Sequence, residues 1–407
     1  LQKLSLKRFG PGILYAAAAV GVSHLVQSTR AGADFGFELI WVIFFANIIK
    51  YPFFKIGPLY TAATKKSLVH AYKMQGRFSV ILFLILTLST MFIVQSAVTI
   101  VTSGLFANVF GSTISLGNQS IILLGLCSLL IVIGKFNLLD SFVKVIILIL
   151  TVTTAISVVS AFGYQVENIQ ISRSFSFLKE ADIFFFIAFI GWMPAPMDIP
   201  VWQSLWTVAK LETEQVTIKE SLLDFNIGFI TTAFLAVGFL SLGALVMYPS
   251  GVEFSSSAIG FSNQLISLYT KALGNWSYIL ISVAACTTML STTLTCLDAF
   301  GRITAESFKE LGFSNYLSNR SLWVILTAIG AGIIVQFYLK NMKQLVDLAT
   351  TISFLAAPLY AYLNFNVIRD KIIPVEHRYN KFEMALCYFG LIFFTGFTLY
   401  FIWLKLN

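Results

Sequence analysis

Charge is what this sequence has least of: Asp, Glu, Lys and Arg make up 11% of its 407 residues, against 57% hydrophobic residues and a mean hydropathy of +0.83. A soluble domain carries roughly twice that share of charge, so a water-facing surface is excluded and lipid must cover most of the chain. In hydrocarbon every backbone polar group has to be satisfied internally, which leaves helix bundles and closed barrels. The apolar stretches run to roughly 20 residues, the length that crosses a bilayer as helix, and are too continuous for barrel strands. Cysteine is sparse as well. Cys127, Cys286, Cys296 and Cys387 all fall in apolar segments without CxxC spacing, so neither a zinc site nor a disulfide framework is indicated and core packing is their expected role. A nucleophile–base pair, a metal triad and a phosphate-binding glycine loop are also missing, and an enzyme is not expected.

The formal net charge of +8 comes from Lys and Arg in short loops rather than from one basic face. It reads as topology, not as a nucleic-acid surface. Eleven spans are predicted near residues 11–34, 37–62, 78–108, 119–134, 139–163, 181–206, 222–248, 274–301, 321–339, 344–367 and 382–405. Lys3, Lys7 and Arg8, the 65–77 loop, Lys135 and Lys144, Lys210 and Lys219, Arg302, Lys309 and Arg320, and the 369–381 loop fall on one side. The loops 111–119 and 251–263 are nearly free of Lys and Arg. This distribution puts the N-terminus in the cytoplasm and, after an odd number of spans, the C-terminus outside, in a protein expected in a bacterial inner membrane. The start resembles a signal peptide, but Gly10, Pro11 and Gly12 enter the apolar run and many spans follow.

Two spans depart from plain lipid-facing helix. The first carries Gly21-Val22-Ser23-His24, then Gln27, Ser28, Thr29 and Arg30. The sixth carries Pro194, Pro196 and Pro200 within seven residues, and each proline lacks an amide donor and clashes with the preceding turn. Such backbone is tolerated at membrane depth only where protein or a water-filled cavity meets the freed groups. The interruptions open the first and second groups of five spans. They divide one transporter domain, residues 1–407, into repeats 11–163 and 181–367 with an added helix at 382–405. Paired breaks in corresponding positions point to an inverted-repeat secondary transporter with its substrate site between them; the alternative is a pair of merely kinked structural helices.

Gly10-Pro11-Gly12, the stretch Arg30-Ala31-Gly32-Ala33-Asp34-Phe35-Gly36-Phe37, Leu39-Ile40-Trp41-Val42-Ile43, Ala46-Asn47, Ser291-Thr292-Thr293-Leu294-Thr295, and Ser353-Phe354 near Pro358 resemble the Nramp family of transporters, along most of the chain. The resemblance implies an all-α membrane protein of 11 transmembrane helices, with a leucine-transporter-type 5+5 inverted repeat, broken helices 1 and 6, and alternating access. It also shows what is replaced. The family's metal site is an Asp-Pro-Gly-Asn break in the first span and a Met-Pro-His break in the sixth. Aligned without gaps, these become Gly21-Val22-Ser23-His24 and Ala195-Pro196-Met197, so the acid and the ligating thioether are gone and Met197 takes the histidine position. The third span, where the family's proton-coupling acids lie, holds no Asp or Glu between Ile81 and Phe106. A dehydrated divalent cation needs formal negative charge. No transition-metal site is therefore expected; Asp198 is the residue to serve if a divalent cation binds, and otherwise an N-cap.

The half-helix that starts near His24 aims amide donors and a positive dipole end at the midplane, where an anion fits. The expected substrate-binding set is Gly21, Ser23, His24, Gln27, Ala195, Met197 and Gln203, with His24 alternatively a packing residue bonded to a carbonyl. Arg30 is expected near the outer surface, paired with Asp34 at spacing four or snorkelling. In the leucine-transporter-type fold, first-span carbonyls and eighth-span hydroxyls commonly hold sodium. The matching residues here are Val20, Gly21, Thr288, Ser291 and Thr292, with Thr350 and Thr351 similar; ordinary helix packing is their other reading. The expected function is symport of a small inorganic anion, bicarbonate by size, with sodium. The alternatives are the family's divalent-cation transport, of Mn²⁺ or a hydrated Mg²⁺, and a membrane-embedded sensor. No cofactor is expected beyond bound sodium, and the partners are the solute and the lipid bilayer.

Overall fold

A computed structural model of the chain describes residues 10–111, 113–134, 136–163, 174–212, 215–338 and 341–406; Lys3, Lys7, Arg8 and Lys135 of the topology argument lie outside them. Among the described residues the architecture is helical throughout, without strands. The first span is Pro11–Ala19, then π-helical Ser23–Ser28 and α-helical Thr29–Phe35; the sixth is Glu180–Trp192 and Ile199–Leu211. The others are Ile40–Thr64, Arg77–Phe110, Leu116–Val132, Phe136–Ala161, Ile218–Leu242 with its extension to Ser250, Ser277–Glu310, Arg320–Tyr338, Met342–Ile368 and Lys381–Leu406.

Seven of these, among the described residues, are long and apolar enough by themselves to cross a membrane. The remaining spans fall short for visible reasons: two are broken, the fourth has 17 residues, and the fifth is only partly described. Two loops are corrected. The 65–77 loop holds the helix Leu68–Gln75, opened by Ser67 Oγ accepting from the His70 amide. Residues 251–263, read as open loop, turn helical at Ala258, where Ser257 Oγ accepts from the Gly260 amide and opens a helix to Leu273. That N-cap signal was hidden among four consecutive small residues, Ser255 to Ala258.

Packing exchanges partners between the two halves. The first span lies on the seventh and the sixth on the second; the third touches the ninth and tenth, while the eighth touches the fourth and fifth. This exchange is what two five-span units of opposite direction produce. The breaks themselves depend on close approach. A Cβ on Gly21 would stand 2.7 Å from Thr292 Cγ2, and one on Gly191 would stand 2.3 Å from the Thr350 carbonyl oxygen. The second contact is with backbone, which cannot turn aside, so the sixth span meets the tenth only because position 191 has no side chain. Gly191→Leu is expected to destabilise the protein by about 1–3 kcal/mol through overpacking, read as a lower melting temperature by tryptophan fluorescence in detergent. Gly396→Leu, where a Cβ meets nothing within 4 Å, should melt like the wild type.

Candidate transport site

A broken helix in lipid leaves carbonyls at the end of its first half and amides at the start of its second, and both need partners. At the first break, Val20 leaves helical geometry at φ −78°, ψ 79°. The Thr292 hydroxyl of the eighth span lies 3.1 Å from the Ala17 carbonyl, 3.3 Å from that of Val20 and 3.1 Å from that of Thr288. One hydroxyl has one proton for three oxygens. Acceptor capacity is left over there, and the buried Thr288 Oγ1 has no hydrogen-bond partner among the described residues. Thr288, Ser291 and Thr292 share one helix face by their spacing, and all three are buried. The sequence-predicted sodium residues are thus brought together, with the Ala17 carbonyl as an addition.

At the second break the partner is a lysine. Lys50, midway along the second span and fully buried, places Nζ 2.7 Å from the Ile190 carbonyl, 3.0 Å from that of Gly191 and 3.0 Å from that of Ala195. Three acceptors match the three N–H donors of an ammonium, and the negative dipole end of the half-helix ending at Trp192 favours a cation. Asp198, across the break, lies within electrostatic reach of Lys50 and beside the Trp202 indole. It occupies the N-cap position of Ile199–Leu211, but its side chain makes no capping hydrogen bond.

Two small cavities lie between the breaks and share Val94, Pro196 and Trp202. The first, about 20 Å³, reaches Ala19, Val22, Ser23 and Thr292; the second, about 10 Å³, reaches Thr90, Asp198, Ser353 and Tyr360. Each has room for about one water. Two clusters of paired charges lie on either side of these cavities. At one mouth Arg30 donates to Asp347 at 2.6 Å and to Asp34 at 3.4 Å, lies 4.5 Å over the Phe185 ring, and Gln27 donates to Asp347 at 3.2 Å. At the opposite mouth the buried Asp298 accepts from Trp206 at 3.0 Å and Arg302 at 2.9 Å and pairs with Arg320.

A family model described as natural resistance-associated macrophage protein-like matches residues 12–404. The chain belongs to the Nramp family. It is 34% identical over 398 residues to an uncharacterized protein of Pasteurella multocida (strain Pm70), covering 97% of this chain and 91% of that one. The solved structure of the Eremococcus coleocola manganese transporter, in complex with an aromatic bis-isothiourea substituted compound, matches with a TM-score of 0.69 at 14% identity, over 96% of this chain and 85% of that chain. A point variant of the same transporter matches at 0.71 and 15%, with the same coverage. At that identity the likeness carries the fold. This Nramp chain is accordingly an integral-membrane transporter and not an enzyme.

The remaining sequence-predicted residues do not converge. His24 Nε2 donates to the Thr232 carbonyl of the seventh span at 3.0 Å, and Nδ1 meets Ser23 Oγ at 2.7 Å. The ring therefore faces a packed helix, because π-helical geometry after the break rotates it away from the cavities. Gln27 belongs to the Arg30 mouth through Asp347 and Thr350, so it shares no pocket with His24. Gln203 is buried further along the sixth span and lines neither cavity. Ser23 lines the first cavity, Met197 lines the second, and Ala195 contributes its carbonyl to Lys50. Sequence reasoning missed Lys50, Trp202, Tyr360 and Asp347. Lys50 had a signal: a lysine near the centre of a 25-residue span is expensive and functional by default.

Cys296 lines the first cavity and is 3% exposed, which makes it a native probe of the closed path. In Asp347→Asn the Arg30 guanidinium loses its nearest carboxylate, about 1 kcal/mol at this partly exposed site. A several-fold faster reaction of Cys296 with a water-soluble maleimide in detergent is expected, followed by peptide mapping, with Cys127 as an unaffected internal control. An unchanged Cys296 rate would show that this cluster does not close the mouth.

Proposed function

We propose that this Nramp chain is a symporter that moves a small inorganic anion, bicarbonate by size, together with sodium. The observation that carries the reading is the charge inventory at the breaks. The residues around the first cavity include no carboxylate, and the second is lined by one, Asp198, which lies within electrostatic reach of Lys50. A divalent cation would bring two uncompensated charges into such a place, and desolvation costs roughly several kcal/mol per ion. An anion with one sodium adds up to a neutral load in a neutral pocket. Sodium suits the oxygen cage of Ala17, Val20 and the eighth-span hydroxyls, since carbonyl and hydroxyl ligation without formal charge fits a hard, singly charged ion. The anion lies toward Ser23 and Trp202, where the second half-helices begin and their dipoles are positive. The N-terminus faces the cytoplasm and the C-terminus the exterior of a bacterial inner membrane, as the loop charges direct.

A second reading rests on Asp198, a buried carboxylate beside the sixth-span break, and on the fold shared with a manganese transporter: transport of a divalent cation that keeps part of its water shell. Purified protein in liposomes separates the two. Sodium-dependent alkalinisation of the lumen on adding bicarbonate is expected, and Thr292→Val should raise the sodium concentration for half-maximal uptake about three- to tenfold, the equivalent of one lost hydrogen bond. Manganese or magnesium influx indifferent to sodium would replace the anion reading with the second.

A further inference from the structure

The two breaks occupy equivalent places in the two repeats, yet their spare carbonyls are met differently. At the first, the nearest donor is one hydroxyl with a single proton for three oxygens. At the second, Lys50 Nζ donates to three carbonyls at 2.7–3.0 Å, distances of charge-assisted N–H···O bonds, and the Ile190 carbonyl accepts from the Met193 amide as well. These carbonyls come from Ile190 and Gly191, in the last turn of one half-helix, and from Ala195 within the break, so they converge from two sides of a gap on one point. A lysine commonly meets the last carbonyls of a helix, but the Ala195 carbonyl from beyond the helix end completes a convergent set of the kind that coordinates a small monovalent cation. The stem of Lys50 reaches this point from the second span, entirely buried, and Asp198 across the break lies within its electrostatic reach.

We infer that Lys50 is a tethered monovalent cation: its ammonium fills a carbonyl cage at the sixth-span break that a free ion would otherwise have to fill. One break therefore has its cation built into the chain, and the other keeps a place for an exchangeable one. The inference deepens the proposed anion–sodium symport, on which only its consequence for substrate charge rests: with the Lys50 ammonium already in reach of Asp198, that carboxylate is not left free to balance a divalent cation. The cage itself follows from geometry and stands without that reading.

Lys50→Ala uncovers the cage. The variant is expected to melt several degrees lower than wild type, and ammonium or methylammonium chloride should raise its melting temperature while leaving wild type unchanged. Tetramethylammonium, which carries charge but no N–H donor, should do neither. Uptake in liposomes should fall about tenfold or more in Lys50→Ala, since three hydrogen bonds of a charged group are lost, and return in part with ammonium. Should Lys50→Ala fold poorly, purification with ammonium in every buffer should recover a monodisperse protein that tetramethylammonium does not. Equal behaviour in the two salts, by melting or by yield, overturns the inference, as does a Lys50→Met variant as stable and active as wild type. The melting measurement uses no substrate. Failure of wild-type bicarbonate uptake therefore counts against the symport reading alone, and absence of an ammonium effect against the tethered cation alone.

Discussion

Hydrogen bonding of backbone freed inside hydrocarbon is the constraint on which the rest of this molecule depends. Two helices stop partway along their spans, and in hydrocarbon water is not at hand to meet what they leave open. Each break is completed by a neighbour reaching in: the Thr292 hydroxyl from the eighth span at the first, the Lys50 ammonium from the second span at the other. The close helix contacts follow from the same need. Gly21 lets the eighth span approach the first break, and Gly191 lets the tenth approach the sixth span. Either glycine, given a side chain, would push away a helix that helps hold the interrupted region.

The charges are arranged in the same manner, few and paired. Asp298 is wholly buried but surrounded by Arg302, Arg320 and the Trp206 indole, and Arg30 is held between two carboxylates and an aromatic face. Both clusters join elements that are far apart in sequence: the first and tenth spans at one mouth, the sixth, eighth and ninth at the other. Such joints tie distant spans together on either side of the breaks, and each consists of interactions that can be exchanged for water without unfolding any helix. That is the property an alternating-access transporter needs at its two mouths.

Much of the fold was legible in the residues. Apolar lengths placed the spans within several residues of their observed helix bounds, except that the eighth, read as ending at 301, continues to Glu310, and Pro194, Pro196 and Pro200 marked the sixth-span break because proline removes a donor wherever it stands. The eighth-span hydroxyls were legible too, since a three- and four-residue spacing puts Thr288, Ser291 and Thr292 on one face. His24 and Gln27 show where such reasoning stops. Three residues apart would place them together on a regular helix, but the segment from Ser23 to Ser28 is π-helical, and its altered turn sends one side chain to the seventh span and the other to the tenth.

By itself, then, the chain determined its solvent, the places of its spans and the segments at which two helices break, because each of these is a property of local composition or of a short run. Only the tertiary structure decided which groups complete the breaks. Lys50 lies 140 residues from Ile190, and Arg30 lies 317 from Asp347. Pairings of that span are set by how helices pack in three dimensions, and no local spacing encodes them.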